Sequence, residues 1–135
     1  MRLVPGLIDA IPSVLLVDDD PDLRAAIAEA LESMGVRAHV ACDGVEAVAM
    51  LRAGLRPRFA LVDLMMPRMT GEQFARVVRG WPWTLPIASM SAGEGALAPP
   101  LVECHLRKPF DLEELERLVA RYCAAPPCLL RASGP

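Results

Sequence analysis

The chain has 135 residues, a formal net charge of −3 and an apolar fraction of 53%. That length suits one domain with a sizeable core. No apolar run is long enough to span a membrane, and a mildly acidic balance without a clustered basic helix argues against direct binding to nucleic acid. Residues 1–12 are apolar but lack a basic start, a long apolar centre and a small-residue cleavage site, so they are not read as a signal peptide and the expected compartment is the cytosol.

Two compositional details bear on chemistry. Lys108 is the only lysine in the chain, and the other cationic residues are arginines apart from two histidines. Where arginine serves as the general cation, one lysine points to a need for a compact ammonium head. Cys42, Cys104, Cys123 and Cys128 show no CxxC and no metal-site spacing with histidine. Cys42 and Cys104 read as small core residues in strands, Cys123 as a helix-end residue and Cys128 as part of a tail, all reduced.

Taken in order, residues 1–12 form an extension. Ser13 to Val17 is an apolar run and the first predicted strand; Asp18, Asp19 and Asp20 end it. Asp20 as N-cap and Pro21 at the first helical position open a helix. Leu23, Ile27, Leu31 and Met34 give it one apolar face, and Gly35 stops it. Residues 36–41 alternate, with Val36, Ala38 and Val40 opposite Arg37 and His39, as in a strand with one exposed face. After an Asp43-Gly44 turn, Val45, Val48, Ala49 and Leu51 mark a second helix, closed by Gly54 and Pro57.

Phe59 to Val62 has the length and flanks of a buried strand, and Asp63 stands at its end. Pro67 and Gly71 bracket a loop. A third helix follows over 71–79, with Phe74, Val77 and Val78 inward, until Gly80-Trp81-Pro82-Trp83 breaks it. Residues 85–90 form a fourth strand, 91–100 are rich in Gly, Ala and Pro, and 101–106 form a short fifth strand. Lys108-Pro109-Phe110 is a turn. Asp111 caps a last helix with Leu112, Leu115, Leu118 and Val119 inward, and residues 124–135 form a flexible tail. Strands alternating with helices predict an α/β fold with a parallel sheet covered on both faces.

Several polar groups then fall at carboxyl ends of strands, where open α/β sheets place their ligands. Asp18 and Asp19 follow the first strand, Asp63 the third, Ser91 the fourth and Lys108 the fifth. Each alone has an ordinary explanation: a cap, a turn residue, a solvated cation. Their joint placement does not. Gathered carboxylates repel one another and their pKa values rise unless a cation neutralises them. Mg²⁺ suits such a set of oxygen donors, and one carboxylate is then free to act as a nucleophile toward phosphorus.

These residues carry a resemblance. Val14-Leu15-Leu16-Val17-Asp18-Asp19-Asp20-Pro21, Asp63-Leu64-Met65-Met66-Pro67-Arg68-Met69-Thr70-Gly71, Pro86-Ile87-Ala88-Ser89-Met90-Ser91-Ala92 and Lys108-Pro109-Phe110 resemble the receiver domains of two-component response regulators, over roughly residues 13–122. The resemblance implies a flavodoxin-like doubly wound five-stranded sheet of order 2-1-3-4-5, with a receiver domain over 13–123. It implies Asp63 as phosphoacceptor, and Mg²⁺ held by Asp19, by Asp18 mainly through water, by Asp63 and by the backbone carbonyl of Met65. Ser91 matches the hydroxyl residue that bonds the phosphoryl group, Lys108 pairs with a phosphoryl oxygen, and the Lys108-Pro109 bond is cis. His105 takes the place of the family's switching aromatic residue.

The sequence departs from the family between Ser91 and Lys108. That segment is short and holds Gly93, Gly95, Pro99 and Pro100 where the family has its fourth helix. Proline costs about 3 kcal/mol in a helix interior and glycine about 1, so this helix is expected to be a turn or a loop. Met65 and Gly93 flank the site without offering an acid or amide to an attacking water, which predicts a long-lived phosphorylated form. The implied function is a stand-alone receiver that takes a phosphoryl group from a sensor histidine kinase or a histidine phosphotransfer protein. It would signal by protein contact or onward transfer, without acting as an enzyme on a separate substrate. The alternatives are a non-switching pseudo-receiver that serves as a protein-binding module, against which the complete residue set argues, and an Asp-nucleophile phosphatase, against which Leu64 and Met65 argue because neither supplies a second acid.

Overall fold

The computed structural model describes residues 11–93 and 95–123. Strands and helices follow one another as β1 (Ser13–Val17), α1 (Pro21–Ser33), β2 (Arg37–Ala41), α2 (Gly44–Arg52), β3 (Phe59–Asp63), α3 (Gly71–Arg79), β4 (Ile87–Ser91), β5 (Cys104–Arg107) and α4 (Leu112–Tyr122). All neighbouring strands pair in parallel, in the order β2-β1-β3-β4-β5. This is the flavodoxin-like sheet that the sequence implied. Residues 1–10 of the expected 1–12 extension and the tail over 124–135 lie outside the described residues.

Apolar runs in β1 and β3 place both strands at the centre, where both faces are buried. On one face Leu15, Val17, Ala60 and Val62 meet Ala47, Val48 and Leu51 of α2 and Phe74, Ala75 and Val78 of α3. On the other, Val14, Leu16, Phe59 and Leu61 meet Ile27 and Leu31 of α1 and Leu115 and Leu118 of α4. Helix starts are set by side chains after strands. Asp20 accepts from the backbone N–H groups of Asp22 and Leu23, and Asp43 from that of Glu46. Thr70 and Asp111 each form a reciprocal capping box. Gly35, at φ +89°, ends α1 in the left-handed conformation that glycine adopts without strain.

The structure corrects several expected positions. In α2 the buried stripe is Gly44, Ala47, Val48 and Leu51, an i, i+3, i+4, i+7 set, so Val45 and Ala49 fall outside it and are exposed. Leu112 stands in the first turn of α4, ahead of the stripe formed by Leu115 and Leu118, and is exposed. Cys42 is exposed because β2 ends at Ala41 and leaves it in the connection. Val40 is exposed beside Arg24, Ala25 and Ala28 of α1, whose small and polar side chains leave it uncovered. β4 starts at Ile87 rather than Leu85 because Pro86 has no N–H to give to the ladder. β5 starts at Cys104 rather than Leu101, since Leu101 closes a turn with its N–H on the Ala98 carbonyl.

Between β4 and β5 no helix forms among the described residues. The connection is held down instead. Leu97, Leu101 and the buried Val102 pack on the α2–α3 side of the sheet. Arg79, at the end of α3, donates to the carbonyls of Pro100, Leu101 and Leu85 and pairs with Glu103 at 2.8 Å.

The loop after β3 is drawn in tightly. Leu64 N–H bonds the Met90 carbonyl at 2.7 Å and Gly71 N–H bonds the Leu64 carbonyl at 2.9 Å. A Cβ on Gly71 would stand 2.6 Å from the Asp63 carbonyl oxygen and 2.9 Å from the Leu64 Cα. Both obstacles are backbone, so neither can swing aside. Gly71→Ala is therefore expected to lower unfolding free energy by about 1–3 kcal/mol, the usual cost of overpacking. Urea denaturation measures it, and an unchanged midpoint would show that the approach is not constrained.

Candidate functional site

Asp18 is the first residue past β1 and is fully buried. Its position is fixed from several sides. Its N–H bonds the Ala41 carbonyl, its carbonyl accepts from the Arg24 guanidinium at 2.8 Å, and its Oδ1 accepts from the Asp20 N–H at 2.9 Å. Its Oδ2 accepts from Lys108 Nζ at 3.0 Å. Asp63, the last residue of β3, stands 3.4 Å from the same Nζ and is buried. Asp19 is exposed at the rim. Asp18, Asp19 and Asp63 each present a carboxylate oxygen, and these oxygens lie within 4.8 Å of one another.

Charge dictates what this cluster wants. One ammonium group serves two buried carboxylates, with a third carboxylate alongside. Burial pushes the Asp63 carboxyl above its usual range; Lys108 pulls it down and the negative charge of Asp18 pushes it up. The arrangement lacks positive charge, and its hard oxygen donors are those a divalent cation such as Mg²⁺ takes. Met65 lies in the loop beyond, with its N–H 3.4 Å from Asp63 Oδ1 and an exposed side chain. The Lys108-Pro109 peptide is cis, as the resemblance implied.

Ser91 ends β4 and is buried at the same sheet edge. Its hydroxyl lies 2.7 Å from the Gly95 carbonyl oxygen, 3.3 Å from that of Gly93 and 2.9 Å from His105 Nε2. His105, in β5, lies opposite Ser89 of β4 in the ladder, and its Nδ1 is 2.7 Å from the Ser89 hydroxyl. Burial, and then the charge of Arg107, push the His105 imidazole below the ordinary histidine value.

The site therefore unites Asp18, Asp19, Asp63 and Lys108, while Ser91 and His105 form an adjoining hydroxyl–imidazole column. Sequence reasoning passed over three contributors. Arg24 fixes the Asp18 carbonyl, but an arginine on a helix start carries no distinguishing signal. Arg68, the only non-glycine residue at positive φ among those described, donates to buried Asp43, with Nε at 2.8 Å from Oδ2, and ties the loop after Asp63 to the start of α2. Only the face that Ser89 occupies carries a signal in the sequence: a hydroxyl two residues before Ser91 in an otherwise apolar strand shares its face of the pleat.

A model of the family described as response regulator receiver domain matches residues 14–120. The response regulator MprA of Mycobacterium tuberculosis is 37% identical over 107 residues, which is 76% of this chain and 46% of that protein. The chain thus spans about half the length of the curated relatives it matches. Among solved structures, a response regulator receiver protein from Pseudomonas putida is 31% identical, with TM-score 0.74 over 83% of this chain and 98% of that one. The receiver domain of sensor histidine kinase PA1611 from Pseudomonas aeruginosa, solved with a magnesium ion coordinated in the active site cleft, is 28% identical, with TM-score 0.74 over 86% and 100%.

The raised pKa of Asp63 fixes the sign of a stability effect. In metal-free buffer the native state holds this proton more tightly than the unfolded chain, so stability falls as pH rises from the ordinary Asp value, about 3.9, through the raised one. Asp63→Asn removes that fall. Thermal melts without divalent cations should show the variant more stable at pH 7, with the gap closing below about pH 4. A variant less stable at neutral pH would contradict the charge imbalance.

Proposed function

The chain belongs to the response regulator receiver domain family, a family of signalling modules, and from that membership we propose that Asp63 is the residue phosphorylated. The supporting observation is the single ammonium of Lys108, 3.0 Å from Asp18 and 3.4 Å from Asp63, beside three converging carboxylates. The proposed donor is a phosphohistidine on a sensor kinase or a phosphotransfer protein. An Asp63 carboxylate oxygen attacks phosphorus, the P–N bond breaks as the P–O bond forms, and the imidazole of the donor leaves with its electron pair.

Mg²⁺ would be held by Asp18, Asp19, Asp63 and the Met65 carbonyl, and when bound it would offset the negative charge of the carboxylates and of the transferred group. Lys108 orients an Asp63 oxygen and remains to pair with a phosphoryl oxygen. Asp18, buried and fixed by backbone bonds, holds Lys108 in place. Ser91 would turn its hydroxyl to the phosphoryl group, with His105 as the side chain that responds. We assign the receiver unit to residues 13–123. Output passes through contact with a protein partner or onward transfer of the phosphoryl group. No helix among the described residues is long and apolar enough to cross a membrane.

Incubation with a small phosphoryl donor such as acetyl phosphate and Mg²⁺ should add one phosphoryl group to the intact protein, read by mass spectrometry. The adduct should be absent from Asp63→Asn and absent when Mg²⁺ is chelated. An adduct that survives in Asp63→Asn would refute Asp63 as the acceptor. Since Met65 is exposed and bears no acid or amide, the adduct should decay over many minutes; loss within seconds in Mg²⁺ buffer would show that another group directs the attacking water.

A further inference from the structure

Hydrogen positions in the column beside Asp63 follow from which atoms can donate. The Gly95 carbonyl cannot donate, so the 2.7 Å contact with Ser91 Oγ uses the Ser91 proton. Ser91 Oγ then acts as acceptor toward His105 Nε2 at 2.9 Å, and Nε2 must carry hydrogen. A neutral imidazole with hydrogen on Nε2 has a bare Nδ1, which needs a donor. Ser89 supplies it at 2.7 Å, a much better contact than its 3.4 Å alternative on the Cys104 carbonyl. The chain of donors runs Ser89 to His105 to Ser91 to Gly95, and it is directional at every step.

This chain involves strand and loop together. Ser89 is 1% exposed and lies directly across the ladder from His105. Gly95 belongs to the connection that replaces a helix, and a Cβ there would stand 3.0 Å from the Leu64 side chain, next to Asp63. Ser91 has one proton. Giving it to a phosphoryl oxygen on Asp63 withdraws it from Gly95, and His105 must follow Ser91 or lose the acceptor for its Nε2–H. The Ser89 bond opposes that movement.

We propose that Ser89 is a positioning residue that tethers His105 in the Nε2–H tautomer and so holds Ser91, with its bond to Gly95, in the unphosphorylated arrangement. The proposal rests on the receiver function given above and adds to it a residue that sets how readily the switch is thrown. An interaction present only in the resting state lowers affinity for any ligand that requires the other state. Removing the tether should therefore tighten binding of a phosphoryl mimic, whereas a merely structural serine would leave it unchanged or weaken it.

Two readouts test this. In the native protein above the ordinary histidine pKa, long-range ¹H–¹⁵N correlation of the imidazoles should show His105 as the Nε2–H tautomer, with His39 assigned by His39→Gln. An Nδ1–H tautomer overturns the proposal without touching the phosphoacceptor assignment. Beryllofluoride with Mg²⁺ should then bind Ser89→Ala more tightly than the native protein, by about two- to tenfold, the range of one hydrogen bond's net contribution. Equal or weaker binding to Ser89→Ala overturns the tether. Absence of binding to the native protein itself would overturn the receiver function, and the proposal with it.

Discussion

The interaction on which the site depends is the ammonium of Lys108 shared between Asp18 and Asp63. Two buried carboxylates at the ends of β1 and β3 are unfavourable unless charge is cancelled, and desolvation of an unpaired ion costs several kcal/mol. The parallel sheet brings the carboxyl ends of β1, β3 and β5 to one edge, so the three groups meet although they are far apart in sequence. One lysine is not enough for three acids. Burial, with the negative charge of Asp18 adding to it, leaves Asp63 with a raised pKa, and the deficit of positive charge suits the cluster to a further cation.

The surrounding fold serves to keep this edge rigid. Gly71 lets α3 begin directly on the backbone of Asp63 and Leu64, and Arg68 ties the intervening loop to Asp43 at the start of α2. Asp43 is itself held below the usual carboxylate range, first by the Glu46 N–H and then by Arg68. On the far side of the sheet edge, a hydrogen-bonded column of serine, histidine and serine occupies the β4–β5 face that the connection covers without a helix. Polar groups are acceptable there because each has a partner; no buried side-chain nitrogen or oxygen among the described residues is unsatisfied.

Much of this was legible in the sequence. Apolar runs bounded by Asp, Pro and Gly located β1, β3, α1 and α3 to within a residue or two, because capping and strand burial are local effects. Gly93, Gly95, Pro99 and Pro100 foretold that no helix forms among the described residues between β4 and β5. The carboxylate cluster followed from topology, since parallel strands order their carboxyl ends. What failed depended on context. Whether Val45, Leu112 or Val40 is covered is decided by the neighbouring element, not by the residue's own hydropathy. The partners of Ser91, and the part played by Ser89, required knowing that His105 lies across the ladder from Ser89, a register that no local pattern supplies.

The central claim is that Asp18, Asp19 and Asp63 form one cation site governed by the charge balance with Lys108. A ¹H–¹⁵N NMR titration of the ¹⁵N-labelled protein with Mg²⁺ tests it most directly. The account predicts saturable shifts concentrated at the backbone amides of residues 18–20, 63–66 and 108, lost in Asp19→Asn. Shifts that do not saturate, or that centre elsewhere on the surface, would contradict it.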